Sequence, residues 1–146
     1  MEIGKYLGYQ RQVVVTCGPD ESVDAAVLRL TRHNIGAMPV CDARGAVVGV
    51  FSERDLIRAY ASEGANVSSR FVSDLMTRAV VTCTPDTTMS EAEKKMHEKR
   101  IRHLPVIEEG RVVGMLSIRD VVAWRLSLQR DEILVLRDAV IAARHS

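Results

Sequence analysis

VVGVFSERD, Val47 to Asp55, returns as VVGMLSIRD, Val112 to Asp120, and this recurrence decides the fold. Upstream of it, VVTCGPD, Val14 to Asp20, returns as VVTCTPD, Val80 to Asp86, and Met38-Pro39-Val40 returns as Leu104-Pro105-Val106. The order is kept and the spacing changes by a single residue in one loop, so the chain carries two copies of one structural unit.

Each copy switches period in a readable way. Val13 to Cys17 and Ala79 to Cys83 are short β-branched runs that end beside Pro19 and Pro85, which predicts strands. After Ser22, the residues Val23, Ala26, Val27 and Leu30 share one helical face, and after Thr88 so do Met89, Ala92 and Met96. Thr88 and Glu91 stand at capping-box spacing. Two further strands follow in each copy, near Ala37 to Cys41 and Ala46 to Phe51, then near His103 to Ile107 and Arg111 to Leu116. Tight turns at Asp42-Ala43-Arg44-Gly45 and Glu108-Glu109-Gly110 join them. Helices starting at Ser52 and Ser117 close the units, so each copy reads β-α-β-β-α. The fold class is therefore mixed α/β (α+β).

One such unit leaves an apolar face in water, and two copies related by a pseudo-twofold bury it. The expected organisation is a first repeat over residues 1–66, a second over 67–128 and a C-terminal helix over 129–146. Polar residues from Ser62 to Arg70 read as the linker. Phe71 to Met76 leads into the second copy as Ile3 to Leu7 leads into the first. From Val121 onward no Gly or Pro occurs, and Val122, Leu126, Ile133, Leu136 and Val140 recur at roughly helical spacing.

The 146 residues suffice for one shared core, and 47% hydrophobic with 27% charged residues is ordinary globular composition. Twenty basic residues against nineteen acidic ones leave a net charge of +1, which argues against nonspecific nucleic-acid or membrane binding. The apolar runs are short, and the start MEIGKYLGYQRQ lacks the apolar core of a signal peptide, so a cytoplasmic location is expected. Cys17, Cys41 and Cys83 are too few and too dispersed for a disulfide framework and read as small reduced hydrophobes. No histidine stands at metal-ligand spacing, and neither a nucleophile motif nor a glycine-rich phosphate loop is present, so the reading is not an enzyme.

At both strand-to-helix junctions a serine precedes an aspartate by three residues, the spacing of an ordinary helix cap. The strand glycines, Gly49 and Gly114, instead suggest close approach by a ligand or another backbone. Arg54 and Arg119 stand between serine and aspartate in each copy. A carboxylate that accepts from two ribose hydroxyls, beside a helix N-terminus and an arginine that favour phosphate, would use every part of the motif. The copies differ before their proline: Asn34-Ile35-Gly36-Ala37 stands where the second has Arg100-Ile101-Arg102-His103. Arg102 and His103 place a fixed cation and a titratable ring there, and the two clefts should be unequal.

Together these motifs resemble the CBS domain, and two in tandem resemble a Bateman module. That resemblance implies paired repeats with two pseudo-symmetric clefts for adenosyl ligands such as AMP, ATP, NAD(H) or S-adenosylmethionine. It assigns the ribose to Asp55 and Asp120, with Ser52, Ser117, Thr16 and Thr82 nearby, and phosphate to the segment Ile101, Arg102, His103. Adenine would be held mainly by backbone groups of the Met38-Pro39-Val40 and Leu104-Pro105 strands and by apolar contacts from Ile35, Met38, Ile101 or Leu104. No cofactor is required. The implied function is a sensor that forms a homodimer and acts on a separate regulated protein. A constitutive dimeric scaffold with empty clefts is the alternative.

Overall fold

The computed structural model describes residues 1–10 and 14–145, and the side chains of all of these except residues 9 and 10. In chain order the elements are α1 (Ile3–Gln10), α2 (Val23–His33), β1 (Ala37–Cys41), β2 (Val47–Ser52), α3 (Glu53–Glu63), α4 (Val72–Leu75), α5 (Met89–Lys99), β3 (His103–Glu108), β4 (Arg111–Ser117) and α6 (Ile118–Arg144). β1 and β2 form one antiparallel hairpin, and β3 and β4 form its counterpart. The amphipathic readings hold: α2 buries Val23, Ala26 and Leu30, and α5 buries Met89, Ala92 and Met96 behind the Thr88–Glu91 capping box.

The expected first strands shrink to single parallel bridges, Cys17 with Val40 and Cys83 with Val106. Val13 lies outside the described residues. Proline explains the shortening. Cys17 N donates to Pro39 O at 3.1 Å and Cys17 O accepts from Cys41 N at 2.8 Å; the next rung would need an N–H on Pro39, which has none. The second repeat stops in the same way, with Cys83 N on Pro105 O at 3.0 Å and Ile107 N on Cys83 O at 2.8 Å. Each expected three-stranded sheet is therefore a hairpin with a one-residue fringe.

Segments that precede the repeats pack crosswise. Ile3 is fully buried in a core built by Met89, Met96, Leu104, Leu116 and Trp124 of the second repeat. Val72 and Met76 are buried with Val23, Met38, Val40 and Phe51 of the first. Matching backbone bonds fix both docks: Ile3 N donates to Thr87 O at 2.8 Å, and Val72 N to Glu21 O at 2.9 Å. Each segment was expected to lead into the repeat that follows it, but in space each completes the other repeat, across the boundary drawn at residue 66. The polar linker is not purely solvent-exposed either. Gly64–Ser69 forms a 3-10 turn that buries Val67 in the first core.

This crossing also accounts for the strand glycines. A Cβ on Gly49 would lie 2.6 Å from Met76 Sδ and 3.0 Å from Thr77 O, and one on Gly114 would lie 2.5 Å from Leu7 Cδ1. The close approach inferred from the sequence is made by the chain's own crossing segments.

α6 runs unbroken for 27 residues, so the C-terminal helix continues the Ser117 helix. Val121 and Trp124 hold its first turns in the second core. Arg125 adds an ion pair to Glu93 at 2.7 Å. Among the described residues no helix is long and apolar enough to cross a membrane.

Candidate functional site

Both repeated junctions are complete capping boxes. Ser52 Oγ accepts from Asp55 N at 3.4 Å, while Asp55 Oδ2 accepts from Ser52 N and from Ser52 Oγ, both at 2.9 Å. Ser117 and Asp120 repeat this at 3.3, 2.7 and 2.9 Å. The cap reading of these residues is thus satisfied in full.

The second carboxylate oxygen separates the copies. Asp55 Oδ1 accepts from Thr77 Oγ1 at 3.0 Å, and Asp55 is only 7% exposed. Asp120 Oδ1 accepts from the Tyr6 hydroxyl at 3.0 Å, and Asp120 remains half-buried at the edge of a cleft. Burial, then the neighbouring Asp120 charge, pushes the Tyr6 phenol up to about 12.

That cleft lies between the repeats and has a volume of about 840 Å³, within the range of small-molecule sites. The first repeat supplies an apolar wall from Val14, Val15, Val27, Ile35 and Leu56, with Asn34, Gly36 and Glu53 at its edge. The second supplies the start of α6, Ser117, Arg119 and Asp120, together with Arg102 and His103. Apolar side chains of the first repeat therefore share the cleft with a helix N-terminus and two arginines of the second. His103 titrates below the ordinary histidine value because burial dominates; the Glu53 and Asp120 charges oppose that shift and Arg102 reinforces it.

A shallower hollow of about 460 Å³ is bounded by Glu93, Met96, His97, Ile101 and Ile118. Neither Ser52, Arg54 nor Asp55 is among the residues lining either space. The two spaces differ in size, and the Arg102–His103 pair shares the larger of them with Asp120.

Several sequence candidates stand elsewhere. Met38, Val40 and Leu104 are fully buried core side chains, and Pro39 and Pro105 are buried with them. The carbonyls of Pro39 and Pro105 are taken by Cys17 and Cys83. Packing of both strand faces leaves these five no side-chain surface for an adenine. Thr16 and Thr82 are half-buried, with their carbonyls accepting from Arg29 Nη1 at 2.9 Å and Lys95 Nζ at 3.1 Å. Arg54 is exposed on α3, away from the cleft, whereas Arg119 faces it. Sequence reasoning passed over Val14, Val15, Leu56 and Glu53. An acid in the first turn of a helix is so ordinary that Glu53 carried no separate signal. Among the described residues no group of three His, Cys, Asp or Glu side chains is placed to hold a metal ion.

The CBS domain family pattern matches residues 9–62 and again 72–127. The mitochondrial CBS domain-containing protein CBSX3 of Arabidopsis thaliana is 37% identical over 121 residues, a match covering 80% of this chain and 59% of that protein. This chain thus spans under two thirds of that relative's length. Among solved structures, the CBS-domain protein ATU1752 of Agrobacterium tumefaciens is 43% identical with a TM-score of 0.80, covering 85% of this chain and 92% of that one. The CBS domain pair of protein MJ0100 was solved with 5'-methylthioadenosine and S-adenosyl-L-methionine; it is 25% identical with a TM-score of 0.78 over 87% of this chain and 97% of that one. CBSX2, solved with AMP, is 27% identical with a TM-score of 0.74 over 88% of this chain and 98% of that one. With both repeats matched and the fold shared, the chain belongs to the CBS-domain family as a tandem pair.

Proposed function

We propose that this CBS pair is an adenine-nucleotide-binding regulatory module whose working cleft is the one bordered by Asp120. One observation carries the reading: an apolar slot from the first repeat meets a helix N-terminus, an accessible carboxylate and two arginines from the second. Adenine fits the slot beside Val15 and Ile35, the ribose hydroxyls donate to Asp120, and phosphate sits near Ser117, Arg102 and Arg119. The adenosyl ligands of the MJ0100 pair and of CBSX2 support the ligand class. Ligand occupancy then changes how the module engages a separate protein, because a site built from both repeats couples their relative placement to binding.

The test is a thermal-shift and calorimetric panel of AMP, ADP, ATP, NAD, NADH and S-adenosylmethionine. A ligand at a hundred times its dissociation constant adds about 2.7 kcal/mol. The response is expected to vanish in Asp120→Ala and to persist in Asp55→Ala. A nucleotide-free preparation that answers to none of them refutes the reading.

A constitutive dimeric scaffold is the second reading, and α6 is the observation that favours it. Beyond Trp124 the helix carries Leu126, Ile133, Leu136 and Val140 on one stripe, all exposed. On that reading sedimentation finds a dimer whose stability ignores every nucleotide.

A further inference from the structure

The cleft is not a simple cationic trap. Among its lining groups the charges of Arg102 and Arg119 are matched by Glu53 and Asp120, with His33 and His103 as the titratable remainder. Asp120 is tied to Ser117 through Oδ2 and to Tyr6 through Oδ1, which leaves acceptor capacity on Oδ1 for a ligand. Glu53 has no such commitment: its carboxylate has no ion-pair or hydrogen-bond partner among the described residues, while its backbone N–H is anchored on Gly36 O at 2.9 Å.

That carboxylate lies over Gly36. A Cβ there would lie 3.4 Å from Glu53 Oε2, so the acid is folded across the glycine. It shares the cleft with His103, and its charge opposes the downward shift that burial imposes on that ring. In the second repeat Arg102 stands at the position of Gly36, and Ile118 at that of Glu53. The two matching positions are thus opposite in charge: a cation beside an aliphatic residue in the second repeat, an acid over a glycine in the first.

We infer that Glu53 sets the charge of the ligand this cleft accepts, favouring adenosyl ligands with one phosphate or a net positive charge over di- and triphosphates. The inference rests on the nucleotide reading above and adds a selectivity to it. Arg102 and Arg119 suffice for a single phosphate. Each further phosphate adds negative charge to a cleft that also holds the exposed Glu53 carboxylate, and like charges there repel. A sulfonium or other cation placed there instead gains from Glu53.

The experiment is calorimetry at constant ionic strength without divalent cations, using adenosine, AMP, ATP and S-adenosylmethionine as probes. Wild type, Glu53→Gln and the exposed, distant control Glu98→Gln are compared. Wild type is expected to bind AMP more tightly than ATP. Glu53→Gln tightens ATP by roughly tenfold, weakens S-adenosylmethionine by a similar factor and leaves adenosine within about twofold. The control should match wild type. The opposite signs for anion and cation are a signature that lost packing would not produce. ATP binding wild type as tightly as AMP, or Glu53→Gln moving all four ligands in one direction, overturns the inference while leaving the nucleotide site standing. Binding of none of the four overturns the site and the inference together.

Discussion

Gly114→Ala tests whether the strand glycines serve the crossed packing or a ligand. The added methyl would lie 2.5 Å from Leu7 Cδ1, and the next nearest atoms are Leu7 Cδ2 and Cγ, at 3.6 Å. Gly114 does not use a left-handed backbone, so alanine brings no conformational strain of its own. The cost is overpacking against one side chain, about 1–3 kcal/mol, offset in part by the ~0.5–1 kcal/mol that alanine recovers over glycine within a strand. Leu7→Ala removes all three facing atoms and leaves a gap that the new methyl partly fills. Urea denaturation of wild type, both single variants and the double variant should therefore give a double-variant loss smaller than the sum of the singles by at least about 1 kcal/mol. Gly49→Ala should cost more than Gly114→Ala. Its methyl meets Thr77 O at 3.0 Å as well as Met76, and Thr77 is held by paired backbone bonds to Val50. Additivity within about 0.3 kcal/mol refutes the argument. So does a Gly114→Ala protein of unchanged stability and weakened nucleotide binding, which would return the glycine to the ligand.

Tyr6→Phe removes the hydroxyl that Asp120 accepts and should cost about 1 kcal/mol in urea melts near neutral pH. Because the folded phenol titrates at about 12, above the unfolded value near 10, its stabilisation is intact below pH 10 and is lost as pH rises towards 12; melts on the alkaline side should show Tyr6→Phe with the shallower decline. For His103 the sign is reversed: burial holds its folded pKa below 6.5, the unfolded chain takes up the proton first, and stability falls as pH drops through that value, less so in His103→Gln. Burial pushes the thiols of Cys17 and Cys83 up to about 12 and about 11, so a thiol reagent should label half-buried Cys41 first and reach the other two only on unfolding, as mass spectrometry of partially labelled protein would report.

Much of the fold was legible because its signals are local. Hydrophobic period, capping serines and turn glycines are set within a few residues, so α2, α5, both hairpins and both helix starts could be read directly. What was not legible depends on partners distant in the chain. Nothing in the apolar character of Ile3 and Val72 says which repeat each will enter, and the crossing is visible only once Thr87 O and Glu21 O are seen to receive their N–H groups. Val67 sits among polar neighbours, where one aliphatic residue gives no period. The prolines that mark the repeated strands were read as motif, although their missing N–H also cuts short the strand beside them. In the candidate site the helix starts and the Arg102–His103 pair were found because they recur or differ between copies. Glu53 was missed because its counterpart is Ile118, and a single acid beginning a helix looks like a cap.

The divergence of the two aspartates follows from what each crossing segment offers. Thr77 lies just beyond α4, beside the short strand pairing with Val50, and its small hydroxyl reaches Asp55 only by bringing the backbone close. That closeness seals Asp55 and makes its carboxylate a buried tie between a crossing segment and the first repeat. On the other side α1 reaches Asp120 with the long side chain of Tyr6, so the same bond is made without the backbone closing over it. The space left beside Asp120 is open to the apolar wall of the first repeat and to Arg102. Two copies of one motif thus divide two tasks. The buried carboxylate ties a crossing segment to the first repeat, and on the proposed function the accessible one meets the ligand. Losing the first should appear as a lower melting temperature with the ligand response kept, and losing the second as a folded protein that no longer answers its ligand.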